Sequence, residues 1–182
     1  MFETLGSRLL AGVVSLSMLL FSSFKGNDPS MSDLVYHSSG NFLYVSGVLQ
    51  DAFDNDFPTI FASGTAINVL YDLEIKSSNR IVAKNRFRHT VSYNPVSGVY
   101  ELRKDGDPEA YRSNSVEEVI QKLSYFSFGI PFQHSWEQVQ IKVEARLPVV
   151  HFEQMDKEVD LMVLWKYKKP ASSIRADLRT PY

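Results

Sequence analysis

The feature that most limits what this chain can fold into is a period of two. In residues 138–147, QVQIKVEARL, the side chains Val139, Ile141, Val143, Ala145 and Leu147 alternate with Gln138, Gln140, Lys142, Glu144 and Arg146. Successive side chains of a strand point to opposite faces, so this pattern specifies a strand with one face in a core and one in water. Residues 67–75 repeat it, with Ile67, Val69, Tyr71, Leu73 and Ile75 against Asn68, Asp72 and Glu74. Residues 80–94, RIVAKNRFRHTVSYN, place Ile81, Ala83, Phe87, Val91 and Tyr93 on one side and Arg80, Lys84, Arg86 and Arg88 on the other. Clean alternation of this kind belongs to antiparallel sheets, whose second face can be wet.

The punctuation supports hairpins. Ser77-Ser78-Asn79 reads as a three-residue loop, with Asn79 able to take the left-handed conformation. That register sets Asp72 opposite Lys84, Asn68 opposite Arg88 and Leu70 opposite Arg86. Pro95 and Gly98 then turn the chain into a strand at 99–103. Residues 41–50 read as a strand apolar on both faces. Residues 159–169 read as another, with Val159, Leu161, Val163, Trp165 and Tyr167 on one side and Met162 and Leu164 on the other.

Two stretches leave the period of two. Val116, Val119, Ile120 and Leu123 follow helical spacing, and Ser115 with Glu118 forms a capping box ahead of them. A short helix or turn is expected at 54–64, where Pro58 follows Asp56 and Gly64 ends the segment. The sum is a mainly β (α+β) protein: an antiparallel β-sandwich or half-open barrel of about six or seven strands with one packed helix.

Composition bounds the rest. The 182 residues suit one domain, and a formal net charge of −2 gives no overall basic excess for nucleic acid. Leu9 to Phe24 is an uncharged run between Arg8 and Lys25. It reads as a cleaved signal peptide or as an uncleaved signal anchor that would contact the membrane, with a buried helix of the fold as a third reading. The expected organisation is 1–24 signal peptide or anchor, 25–32 polar tether, and 33–182 a single β-rich domain. The chain has no cysteine, which excludes disulfides, thiolate catalysis and cysteine-based zinc sites.

Chemistry-bearing motifs are sparse. His37, His89, His134 and His151 show no ligand spacing, and Asp51, Asp54 and Asp56 lack the glycine and distal glutamate of a calcium loop. His89 falls on the inward parity of its strand. No nucleophile elbow, phosphate loop or dinucleotide fingerprint is present. No catalytic residue, cofactor site or metal site is therefore expected. Tyr125, Phe126, Phe128, Phe132 and Trp136 cluster in SYFSFGIPFQHSW after the helix. They read either as core with a hydrophobic loop packed on it, or as an apolar surface or cavity mouth. Tyr125, Phe128, Phe132 and Trp136, together with Arg86 and Arg88, are the candidate partner-binding residues.

The order FRHTVSYNPVSGVYEL, SNSVEEVIQKL, EQVQIKVEARLP resembles the bacterial family known as domain of unknown function 4390. The features that carry it are Arg88, Ser92-Tyr93-Asn94, Tyr100, Ser115 to Leu123 and Leu147-Pro148, over roughly residues 60–148. That family often ends in further tryptophan elements, where this chain has only Trp165. The resemblance implies an exported envelope domain and supplies no catalytic residues. Together these readings favour a non-enzymatic protein-interaction or scaffold module, periplasmic or anchored to the inner membrane facing the periplasm, that meets another envelope protein. The alternative is a carrier of an apolar, lipid-like ligand between sheet and helix.

Overall fold

The computed structural model describes residues 25–133, 136–152 and 156–179. The expected signal segment at 1–24, and His134, lie outside the described residues. The fold is mostly β, with a six-strand antiparallel sheet curled into a half-barrel and one main helix. In chain order the elements are β1 (Ser30–Met31), β2 (Val35–Ser39), β3 (Phe42–Gln50), α1 (Phe57–Phe61), β4 (Ile67–Ser77), β5 (Arg80–Asn94), β6 (Val99–Lys104) and β7 (Tyr111–Ser113). Then follow α2 (Val116–Ser124), β8 (Tyr125–Pro131), β9 (Gln138–Arg146), β10 (Val149–Phe152), β11 (Lys157–Asp160), a 3-10 helix (Leu161–Trp165) and β12 (Ala171–Asp177).

The large sheet runs β12-β9-β4-β5-β6-β7, and β3 pairs with β1, β2 and β8 in a smaller one. The inner rows read from the sequence for β4 and β9 reach the core, whereas that of β5 does so in part: Val91 is buried, Ala83, Phe87 and Tyr93 are half-buried, and Ile81 is exposed. Ile67, Val69, Tyr71, Leu73 and Ile75 of β4 and Ile141, Val143 and Ala145 of β9 are at most 1% exposed. Against them pack Leu43 and Val45 of β3, Phe126, Phe128 and Ile130 of β8, and Val119 and Leu123 of α2, in one continuous cluster. Each such side chain removed from water stabilises the fold by about 1.5–3 kcal/mol.

The helix begins as expected: the Glu118 amide donates to Ser115 Oγ at 3.2 Å. The return arm of the capping box is absent, because the Glu118 carboxylate accepts instead from Ser113 and Tyr111. At the other end, Lys104 Nζ donates to the carbonyls of Lys122 and Tyr125, both at 2.6 Å. A cation on orphan carbonyls is the favourable charge at a helix C-terminus.

Several expectations are corrected. The β4–β5 loop has two residues, Ser78 and Asn79, with φ of 48° and 63°. Two positive-φ residues make the turn whose twist matches a hairpin. The register then shifts between Ile75 and Lys76, leaving Val82 as the extra residue of a bulge. Turn and bulge together displace the pairing by two residues from Ala83 onward, so those side chains keep their faces but change partners, whereas Ile81, expected inward, lies before the bulge opposite Lys76 and is exposed. Asp72 faces Arg86, Glu74 faces Lys84, Asn68 faces Thr90 and Leu70 faces Arg88.

Residues 125–131, part of the aromatic cluster that reads either as core with a packed loop or as an apolar surface, are strand β8. Phe126, Phe128 and Ile130 point inward, and Gly129 lies under the Tyr44 ring on the other face. Residues 159–169, read as one strand, split into β11 and a 3-10 helix. Asp160 caps the helix at the Met162 amide, and Lys166 and Tyr167 end it with φ of 50° and 59°. That bend turns Trp165 fully into the core, where its Nε1 donates to the Ala52 carbonyl at 2.8 Å. Strand β3 is apolar on both faces but buries only one: Leu43, Val45 and Leu49 are buried while Phe42 and Val48 are exposed. The segment read as a polar tether, 25–32, is docked on the domain. Asn27 is 3% exposed and donates to the carbonyls of Ala52 and Asp54, and Ser30–Met31 pairs with β3.

Gly47 shows how tightly neighbouring strands pack on the inner face of the smaller sheet, where it pairs with Phe126. A Cβ there would stand 2.6 Å from Cζ of the fully buried Phe126 and 3.2 Å from Leu34. Gly47→Ala is therefore expected to destabilise the domain by about 1–3 kcal/mol, the usual cost of overpacking. A urea melt with a lowered midpoint and unchanged slope would show it; an unchanged midpoint would contradict this packing.

Candidate functional site on the outer sheet face

Because the inner rows of the large sheet are apolar, its polar residues are collected on the outer face, and strand pairing brings them into rows. Along β4 and β5 the outer row holds Asp72, Glu74, Lys76, Lys84, Arg86 and Arg88. β9 adds Lys142, Glu144 and Arg146 opposite Glu74, Asp72 and Leu70. Beyond β5, Arg103 and Glu101 of β6 stand opposite Thr90 and Ser92, and Arg112 of β7 stands opposite Glu101. β12 contributes Arg175 and Asp177.

The outer face of these six strands thus presents nine cations and five acids, leaving ten cations and sixteen acids for the rest of the chain. A chain with a net charge of −2 is strongly polarised, with its positive side on one sheet face. Such asymmetry steers association with anionic surfaces.

The acids organise the cations. Asp72 takes Arg86 Nε at 2.6 Å and Arg146 Nε at 3.1 Å. Glu74 bridges Lys76 at 3.0 Å and Lys84 at 3.1 Å. Glu101 bridges Arg103 at 2.6 Å and Arg112 at 2.7 Å. Burial tends to raise the Asp72 carboxyl, but the Arg86 and Arg146 guanidiniums outweigh it and hold it below its ordinary range. Glu74 is held low by Lys76 and Lys84, and Glu101 by Arg112 and Arg103. Each carboxylate holds two cations in place while leaving one positive charge in excess. Exposed pairs of this kind contribute little stability; their effect is to order the charged surface. A hollow on this face is lined by Asp72, Glu74, Lys84, Arg86, Lys142 and Glu144. A second lies between Arg88, Thr90, Arg103 and the 105–110 loop.

Of the residues chosen from the sequence, Arg86 and Arg88 belong to this face, Arg86 paired to Asp72 and Arg88 beside Leu70. The aromatic candidates do not join them. Phe128 is 1% exposed and stacks on Phe87 at 4.2 Å, and Trp136 is 8% exposed in the core. Phe132 packs half-buried against the same core. Tyr125 is 49% exposed, on the outer side of β8, with Lys104 Nζ 5.6 Å from its ring centre. The inward parity of Phe126, Phe128 and Ile130 explains the difference: an alternating strand cannot offer those rings to a partner. Arg103, Arg112, Lys142, Arg146 and Arg175 were missed as site residues. The signal was present as their parity on separate strands, but only the pairing order gathers them.

The other chemically notable locus is inside. Tyr71 and His89 are 0% and 1% exposed, their rings 4.8 Å apart and both against Phe128. The Tyr71 hydroxyl and His89 Nδ1 have no hydrogen-bond partner among the described residues. Burial pushes the Tyr71 phenol up. Burial, then the Lys104 charge, pushes His89 down to about 3, against a hydrogen bond to the Leu123 backbone that favours the cation. Sealed from solvent, this pair is part of the packing and has no access to a substrate. Among the described residues no group of three or more potential metal ligands occurs.

A neutral buried histidine makes stability depend on pH in a definite sense. The unfolded chain binds a proton near pH 6.5, and the folded one does not until about 3. Stability is therefore full above pH 6.5 and lost as pH falls from 6.5 to 3, by about 5 kcal/mol. His89→Leu is expected to flatten that slope in urea melts across this range; an unchanged slope would contradict the assignment. Tyr71→Phe, which removes an unpaired buried hydroxyl, is expected to leave stability unchanged or raise it by about 1 kcal/mol.

Compared with protein-family models, with curated proteins and with solved structures, the chain matches none.

Proposed function

We propose that this domain is a non-enzymatic interaction module of the cell envelope that docks an acidic face of a partner protein on the outer face of its six-stranded sheet. The observation that carries the reading is the concentration of nine cations there in an otherwise acidic chain. The apolar, uncharged run Leu9 to Phe24 and the resemblance to the domain of unknown function 4390 family support an exported setting.

A protein surface suits this face better than nucleic acid does. Asp72, Glu74, Glu101 and Glu144 recur between the cations and would meet a continuous phosphate backbone at short range. No aromatic ring stands on the outer rows of the large sheet to stack a base. The carrier reading has less support. The space it requires between sheet and helix holds Tyr71, Phe126, Phe128 and Leu123, each at most 1% exposed, with ring centres 5.1–5.3 Å apart.

Immobilised polyglutamate tests the reading with a defined acidic polymer. The full chain is expected to bind it at 50 mM salt and to weaken steeply by 300 mM, as screening shortens. Arg88→Glu combined with Arg175→Glu should cost at least tenfold, whereas Asp72→Asn should strengthen binding. A chain that ignores polyglutamate, or that binds duplex DNA more tightly at equal salt, would overturn the reading. A photocrosslinker at position 88, with position 121 on α2 as control, then locates the contact.

A further inference from the structure

Strand β5 is longer than the strand beside it. Its fifteen residues pair with β4 along Arg80–Val91, but β6 covers only His89–Asn94 on the other side. The ladder ends where the Asp105 carboxylate accepts from the Arg88 amide at 2.9 Å and the Asp105 amide donates to the Arg88 carbonyl at 3.0 Å. Backbone groups alternate sides along a strand, so those of Lys84 and Arg86 point the same way as those of Arg88, away from β4. No strand pairs with that side among the described residues. The outer edge of β8 is likewise without a strand, and Phe87 of β5 bridges toward it by stacking on Phe128.

An unpaired edge is a template for another strand, which natural proteins blunt with charge and bulges. Here the charge and the bulge are both present, yet Ile81 and Val82 are 49% and 37% exposed on the same edge. The edge therefore discriminates among partners. A second copy of β5 would bring Lys84 and Arg86 against Lys84 and Arg86, a repulsive arrangement across strands. An acidic strand would meet opposite charges.

We infer that the edge at residues 81–87 accepts an added antiparallel strand from a partner protein, an extended segment that alternates acidic and apolar residues. Its acidic side chains lie on the outer face opposite Lys84 and Arg86, and its apolar ones turn inward toward Phe87. Main-chain hydrogen bonds supply affinity and the alternation supplies specificity. The inference rests on the interaction-module reading and specifies how the acidic partner is held.

In an antiparallel pair, residues directly opposite on a hydrogen-bonded position exchange both backbone bonds. The glutamates opposite Lys84 and Arg86 would therefore face β5 with their amides, and the intervening valines would face away. Three ten-residue peptides of alternating glutamate and valine separate the cases: unmodified, N-methylated on the glutamates, and N-methylated on the valines. Fluorescence anisotropy with the full chain is expected to show at least tenfold weaker binding for the glutamate-methylated peptide and less than threefold for the valine-methylated one. Hydrogen exchange should slow at Lys84 and Arg86 on adding the unmodified peptide. Equal binding of the two methylated peptides, or no binding of any peptide by a chain that binds polyglutamate, would overturn strand addition and leave the interaction-module reading standing. Failure with polyglutamate as well would overturn both. Lys84→Pro removes an outward amide together with the ammonium that Glu74 holds, so Lys84→Gln, which removes the ammonium alone, is its control; the proline variant should lose the unmodified peptide and the glutamine variant should weaken it less, and equal binding by the two would overturn the proposal.

Discussion

The structure depends on the two-sidedness of β4. Its inner row, from Ile67 to Ile75, is almost wholly withdrawn from water, and its outer row holds Asp72 and Glu74 at the centre of the charged surface. β5 and β9 flank it along most of its length. A slip of one residue would exchange the rows, burying two carboxylates and exposing Tyr71, Leu73 and Ile75. Burying an unpaired carboxylate costs far more than any strand pair returns. The turn and the bulge at Val82 each move the β4–β5 register by one residue, and only their net displacement of two preserves this division from Ala83 onward.

The same division produces the electrostatic asymmetry. Each strand of the large sheet sends its polar row outward, and the rows are richer in lysine and arginine than the chain as a whole. Asp72, Glu74 and Glu101 each hold a pair of cations, so the excess charge is spread over the face and kept in place. Inside, His89 and Lys104 face each other across β5 and β6. Lys104 reaches the last carbonyls of α2, which ties the helix to the sheet. His89 stays neutral beside that cation because its surroundings exclude water.

How much was legible in the sequence follows from which interactions are local. The rows of β4, β5 and β9, the Ser115 cap and the short helix after Asp56 are set by neighbours within a few positions. The aromatic cluster after the helix reads from the sequence either as core or as surface, and Phe128 and Trp136 are core. Gly129 is accommodated in a strand by the Tyr44 ring of β3, more than eighty positions away. Trp165 keeps strand parity in the sequence but lies in a 3-10 turn, fixed by the Asp160 cap and by the distant Ala52 carbonyl. The site was half legible: Arg86 and Arg88 are visible on one strand, whereas Arg103, Arg112, Arg146 and Arg175 join them only through pairing.

By itself, the sequence determined that the chain is β-rich and which side chains of β4 and β9 meet water. Alternation is a property of consecutive residues and of the free energy of burying them. Tertiary structure alone decided the strand order, the register that sets Arg86 rather than Lys84 beside Asp72, and the free edge of β5. Those depend on loop geometry, on one bulge and on where β6 stops. They are long-range outcomes that no periodicity encodes, and they turn scattered cations into a single face.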